Sequence, residues 1–159
     1  MKYILAAMLA LVTCLCSAGA WADDTQRRQQ QITGEARQGF ERILDLWRQE
    51  QFEALYDHLV SEPGSERWYF VNQLNYSARR PACCWEQLQD VAVVYLDDST
   101  VLLTAKLGIE VEGFGTRFVT RSFRLVKQAG VWRLPAADIL SLAEPNMQRI
   151  PREILNRPY

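Results

Sequence analysis

The sequence predicts an α+β domain, helices first and an antiparallel sheet after them, and three observations carry that expectation. Phe40, Ile43, Leu44 and Trp47 fall at i, i+3, i+4 and i+7, the spacing that gathers side chains on one face of an α-helix. Val101, Leu103, Ala105, Leu107, Ile109 and Val111 alternate with Leu102, Thr104, Lys106, Gly108, Glu110 and Glu112, the period of a strand with one apolar face. The turns Asp97-Asp98-Ser99, Gly113-Phe114-Gly115 and Gln128-Ala129-Gly130 are short enough to require antiparallel neighbours, since parallel strands need a crossover of about a dozen residues.

The chain opens with Lys2 and an almost uninterrupted apolar run from Tyr3 to Cys16, and Ala20-Trp21-Ala22 puts small residues where a signal peptidase inspects the chain. Residues 1–22 are therefore expected to be an export signal, cleaved to leave Asp23 first in a protein of the bacterial periplasm or exterior. The run is too short and too weakly flanked for a stable membrane span, which needs about 20 apolar residues. Leu11-Val12-Thr13-Cys14 resembles a competing lipoprotein site at which Cys14 would be acylated. Thr13 stands where that pattern wants Gly, Ala or Ser, so soluble export is favoured.

Removing 22 of the 159 residues leaves 137, enough for one domain with a sizeable core. The loss of Lys2 leaves 17 basic residues against 19 acidic, a formal charge near -2. That balance argues against a nucleic-acid partner, which requires a basic face, and the Arg79-Arg80 pair does not alter it. Residues 23–34, with Arg27-Arg28 and a glutamine run, offer too little apolar surface to order themselves and are expected to form a flexible lead-in. The domain should occupy residues 35–143.

Within it, the first helix starts near Glu35. Phe52, Leu55, Tyr56 and Leu59 repeat the helical pattern out of phase with Trp47, which predicts a turn over Arg48–Gln51 and a second helix. A third should follow Pro63-Gly64, with Ser65 as N-cap, Glu66 in the first turn and Phe70, Val71 and Leu74 inward. Strands are expected over Val91–Leu96, along the alternation from Val101, over Arg117–Lys127 and over Val131–Pro135. Residues 144–159, with Pro145, Pro151 and Pro158, should form an extended or loosely docked tail.

Leu46-Trp47 running into Phe52-Glu53-Ala54-Leu55-Tyr56, together with the closing hairpin from Arg124 to Leu134 around Gln128-Ala129-Gly130, resembles the NTF2-like superfamily over about Glu35–Ile139. The resemblance implies a bent sheet wrapped around the N-terminal helices as a cone with an internal pocket. It implies no single activity, because that fold hosts isomerases, dehydratases, transport factors and secretion-system parts. Cystatin-like domains also wrap a sheet around a helix, but three helices before the sheet suit them less well.

Cys83 and Cys84 are the cysteines of the exported chain, and an oxidising compartment disfavours free thiols. Three readings stay open: a bond between the neighbours, bridges between two chains, or a pair of buried thiols. Adjacent cysteines with a single histidine in the chain do not make a metal site, and no cofactor is expected. That histidine, His58, falls at the edge of its helix's apolar face. With Asp57 it forms the weak catalytic candidate, a general base for proton transfer, against a plain boundary role. Tyr56, Tyr69 and Tyr76 match no family motif. Trp68, Tyr69 and Phe70 span too much of a helix to share one core, so with Trp85 and Tyr56 they are the candidate surface for a small apolar ligand or an envelope partner. Arg117 and Arg121 with Lys106, Glu110 and Glu112 read as a charge ladder on a solvated sheet face. The expectation is a non-enzymatic binding module, with a small proton-transfer enzyme and an envelope subunit that dimerises through its open sheet face as alternatives.

Overall fold

The computed structural model describes residues 2–60 and 66–144, with side chains from Asp24 onward. The expected helix start at Pro63-Gly64 and Ser65 and the tail 145–159 lie outside the described residues, as do the side chains of the expected export signal. In chain order the elements are α1 (Lys2–Arg48), α2 (Phe52–Tyr56), β1 (Leu59–Val60), α3 (Arg67–Asn75), β2 (Arg79–Pro81), a 3-10 turn (Cys84–Glu86), β3 (Leu88–Asp97), β4 (Thr100–Val111), β5 (Gly115–Gln128), β6 (Val131–Pro135) and α4 (Ala136–Ala143).

The architecture is α+β: N-terminal helices and a curved, unclosed mixed sheet of six strands. β4 is its spine. β5 runs along one edge of β4 from Thr100 to Val111, whereas β3 and β2 share the other edge in succession. β6 continues antiparallel from β5, and the two-residue β1 joins β6 in parallel. Val101, Leu103, Ala105 and Leu107 are fully buried, as the alternation requires, and they pack in one core with Phe40, Ile43, Leu44 and Trp47 of α1. The Phe40 and Phe123 rings meet with centroids 4.9 Å apart, joining helix to sheet.

Several elements depart from expectation. Residues 24–34 are helical and belong to α1 rather than forming a flexible lead-in. The reason lies in Ile32 and Ala36, which are buried and extend the stripe of Phe40 and Ile43 upstream by one helical turn each. Arg28, in that stretch, forms an ion pair with Asp98. The helix ends at Arg48, the first residue of the turn expected over Arg48–Gln51. The amide of Gln51 donates to the Leu46 carbonyl at 2.9 Å and that of Glu50 to Trp47 at 3.0 Å, while Glu50 adopts φ 59°, so a glutamate stands where such a cap usually carries glycine.

Leu59 belongs to β1 instead of the second helix, because pairing with Leu134 buries it on the sheet. Glu66 is the N-cap residue of α3, one position before the expected first turn. Phe70 and Leu74 face the core, with Val71 half-buried beside them. The expected charge ladder is divided between the two faces of the sheet. Arg117 pairs with Ile109 and Arg121 with Ala105, so both arginines share the face of the buried β4 residues, while Lys106 pairs with Thr120 and Glu110 with Thr116 on the other.

Candidate functional site

Two hollows lie beside the open end of the sheet. The larger, about 660 Å³, forms where the end of α1, the end of α3, β2 and the β4–β5 turn meet. Phe52 and Val111 supply its apolar surface, with Trp47 and Leu74 buried behind them, and Glu50, Arg79, Arg80, Glu110 and Glu112 its charge. Glu110 organises this rim. Its Oε1 accepts from Arg48 Nη1 at 3.0 Å and its Oε2 from Arg80 Nε at 2.9 Å, and Arg48 also donates to the Pro81 carbonyl at 2.8 Å. The Arg80 hydrogen bond, opposed by burial and aided by Arg48, holds the Glu110 carboxyl below its ordinary range. A carboxylate gripped by two guanidiniums anchors the end of α1 to the sheet and is a poor proton carrier.

The smaller hollow, about 280 Å³, lies between α4 and the β4–β5 ribbon and shares Arg79 and Val111 with the first. Val111 and Val119 supply its apolar surface, with Ile109 and Leu142 buried behind them, and Arg117, Arg121 and Glu144 are charged groups at its edge. Arg121 Nη1 donates to Ser141 Oγ at 2.6 Å, and Arg79 pairs with Glu144. α4 creates this hollow, and it was missed in the sequence because Ala136–Ala143 is a short apolar run with no cap signal, Pro135 standing as its N-cap.

Cys83 and Cys84 lie in the excursion that separates β2 from β3. The Ala82 amide donates to the Gly108 carbonyl at 2.8 Å, and the Gly108 amide to the Gln87 carbonyl at 3.3 Å, so the edge strand leaves β4 opposite Gly108 and returns to it. Gln87 Nε2 ties the excursion to Asp45 of α1 at 3.1 Å. The two sulfurs are in close contact, with Cα atoms 3.7 Å apart. Trp85 is 73% exposed on this turn, beside β3, whereas Trp68 and Tyr69 are half-buried on α3, which packs against α2 and α4. The predicted aromatic surface is thus divided between separate elements. Trp68 and Tyr69 meet edge to face with centroids 5.9 Å apart, and Tyr56 packs on Phe70 at 5.5 Å and beneath the Arg67 guanidinium at 4.8 Å. None of Tyr56, Trp68, Tyr69 and Trp85 lines either hollow.

No protein-family model and no curated protein matches this sequence. Asp57 is exposed and bridged to Arg67, whose hydrogen bond keeps its carboxyl below the usual range. His58 lies just past α2, partly buried, with its Nδ1 shielded and without a hydrogen-bond partner. Neither side chain lines a hollow. Among the described residues no three His, Cys, Asp or Glu side chains are grouped to hold a metal ion, and no helix is long and apolar enough to cross a membrane.

Burial holds the His58 imidazole below its ordinary value of 6.5, with the charges of Arg42 and Arg133 acting in the same direction and Asp57 opposing them. The unfolded chain thus takes up this proton more readily than the folded one. His58 contributes stability that is present above about pH 6.5 and lost as the pH falls through its folded value. Melting temperatures followed from about pH 7 to pH 5 should decline in the unaltered protein and decline less in His58→Gln. Equal slopes in the two proteins would remove His58 as the cause.

Proposed function

We propose that this chain is an exported binding or interaction module of NTF2-like architecture, acting without catalysis, whose ligand or partner enters the 660 Å³ cleft at the open end of the sheet. The observation that carries the reading is the composition of that cleft. It offers Phe52 and Val111, over buried Trp47 and Leu74, beside a charged rim on which Glu110 is paired with Arg48 and Arg80. Such a site supplies contact area and orienting charge, and a carboxylate held by two guanidiniums is a poor proton carrier. The order of helices followed by a curved sheet supports the NTF2-like assignment.

Native mass spectrometry of the full chain recovered from the periplasm tests the binding reading. A bound species should be retained in His58→Ala and lost in Ala78→Trp, which fills the cleft from its wall. Retention in a correctly folded Ala78→Trp would place the ligand elsewhere. A His58→Ala protein that keeps the ligand but no longer converts it would favour the proton-transfer enzyme.

The same sample tests export and the cysteine pair. Intact mass should correspond to a chain beginning at Asp23, and alkylation without reductant should add nothing at Cys83 and Cys84, whose close contact supports a bond between neighbours. A diacylated chain starting at Cys14 would establish the lipoprotein, and a covalent dimer released by reductant would establish interchain bridging.

An envelope subunit that dimerises through the outer sheet face draws support from exposed Val94, Leu96, Leu102 and Phe118. Thr104 and Ser122, hydrogen-bonded at 2.7 Å, divide Leu102 from Phe118 on that face. Sedimentation as a dimer that Leu102→Lys converts to monomer would promote this reading over the binding module.

A further inference from the structure

We propose that the hollow between α4 and the β4–β5 ribbon receives an amphiphilic carboxylate, its head held by Arg117 and Arg121 and its chain laid on Val111 and Val119, over buried Ile109 and Leu142. The inference concerns a different hollow from the cleft and stands independently of the function proposed for it.

Strand register supplies the first part of the argument. β5 places Leu125 and Phe123 on the inner face opposite Val101 and Leu103, where both are buried, and then continues the same face with Arg121, Val119 and Arg117. Two arginines therefore occupy positions that a strand with one apolar face normally fills with hydrocarbon. Their long stems can lie along apolar surface while the guanidiniums need charge or water. Among the described residues α4 covers this end of the face incompletely, and the hollow of about 280 Å³ is what it leaves.

Charge balance supplies the second part. Three guanidiniums, those of Arg79, Arg117 and Arg121, line the hollow with a single carboxylate, Glu144. Glu144 is already paired with Arg79. Arg121 is bonded to a neutral hydroxyl, that of Ser141, and Arg117 lies over the Phe114 ring at 5.8 Å with no carboxylate partner among the described residues. Asp138 is the acid whose charge Arg121 feels; burial raises its carboxyl pKa and the Arg121 charge opposes the rise. Two guanidiniums that make no ion pair among the described residues, beside apolar side chains, match a ligand with one anionic head and one apolar body. The small volume and the near-neutral charge of the whole chain fit a single-headed amphiphile better than a polyanion.

Calorimetric titration of the full chain with decanoate, and with decanol as its uncharged counterpart, tests the proposal. Decanoate should bind saturably at one site and decanol about tenfold or more weakly, the range expected for losing charge-assisted hydrogen bonds. Arg117→Gln/Arg121→Gln should weaken decanoate by a similar factor at unchanged melting temperature. Arg124→Gln, which alters a residue opposite Leu102 on the outer face, should have no effect. Equal affinity for decanol, unaltered decanoate binding in a folded double variant, or no saturation by about 1 mM would overturn the proposal. So would binding confined to phosphatidylglycerol vesicles, which would identify a membrane surface instead of a free carboxylate. Should the double variant unfold, the decanoate-to-decanol ratio of the unaltered protein decides.

Discussion

Trp47→Ala should destabilise the fold by about 3 to 5 kcal/mol, the cost of truncating a fully buried aromatic residue. Trp47 is 1% exposed at the end of α1, buried behind the cleft. Its removal withdraws the last large knob of the stripe that begins at Ile32, just before the turn that Glu50 closes. The cavity cannot collapse freely, because Arg48, the next residue, is fixed to the Pro81 carbonyl and to Glu110. Urea denaturation should show the loss as a lower midpoint at an unchanged slope. Trp47→Phe should recover a substantial part of it. A change below about 1 kcal/mol in Trp47→Ala would mean that Trp47 does not hold the helix to the sheet.

Gly108→Val should be comparably damaging, for a backbone reason. A Cβ at this position would lie 2.2 Å from the carbonyl oxygen of Glu86 and 3.1 Å from Ala82 Cβ. The oxygen belongs to the main chain of the excursion, which is held on both sides by hydrogen bonds to Gly108 and through Gln87 to Asp45. No rotation of a side chain relieves the contact, so the excursion must move away from β4. Overpacking of this kind costs about 1 to 3 kcal/mol or more. Hydrogen exchange should locate the damage, with Ala82 and Gly108 amides losing protection before those of the β4–β5 ladder. Retention of both amides at wild-type protection would show that the close approach is not needed. Gly108→Ala presents the same Cβ and should show the same pattern more mildly.

The acid side of stability follows from carboxylates that the fold holds ionised. Glu35 is bound to Lys127, Asp97 to the amide and hydroxyl of Ser99, and Glu110 to Arg80 and Arg48. Each has a carboxyl pKa below its ordinary value. Their stabilisation is therefore present above the unfolded carboxylate range and is lost as the pH falls through the folded values. All three are close to solvent, so each contribution is modest.

Local periodicity made the principal elements readable: Phe40 to Trp47 reports a helix and Val101 to Val111 a strand because a helix or strand imposes its repeat on every residue that faces the core. The position of the β4–β5 turn was equally visible, since Gly113 and Gly115 take the positive φ that the turn demands. The helical run through the glutamines before Ile32 was not visible, because isolated apolar residues one turn apart acquire meaning only when a sheet lies beneath them. The excursion at Cys83–Gln87 was hidden for a related reason. Its stability comes from Gly108 and Asp45, both distant along the chain.

Both hollows were decided by tertiary structure. Alternation along β5 is imperfect, and only its register against β4 reveals that Arg117 and Arg121 belong to the inner face rather than with Lys106 and Glu110. A shift of one residue would have exchanged them, and Val119, Phe123 and Leu125 on one face compete with Phe118 and Val126 on the other until β4 fixes the register. What the sequence determined by itself was the α+β order and the residues that could enter the core, because burial selects side chains one at a time. Which charged groups would meet, and which cavities would remain, depended on how α1, α4 and the curved sheet came together in space.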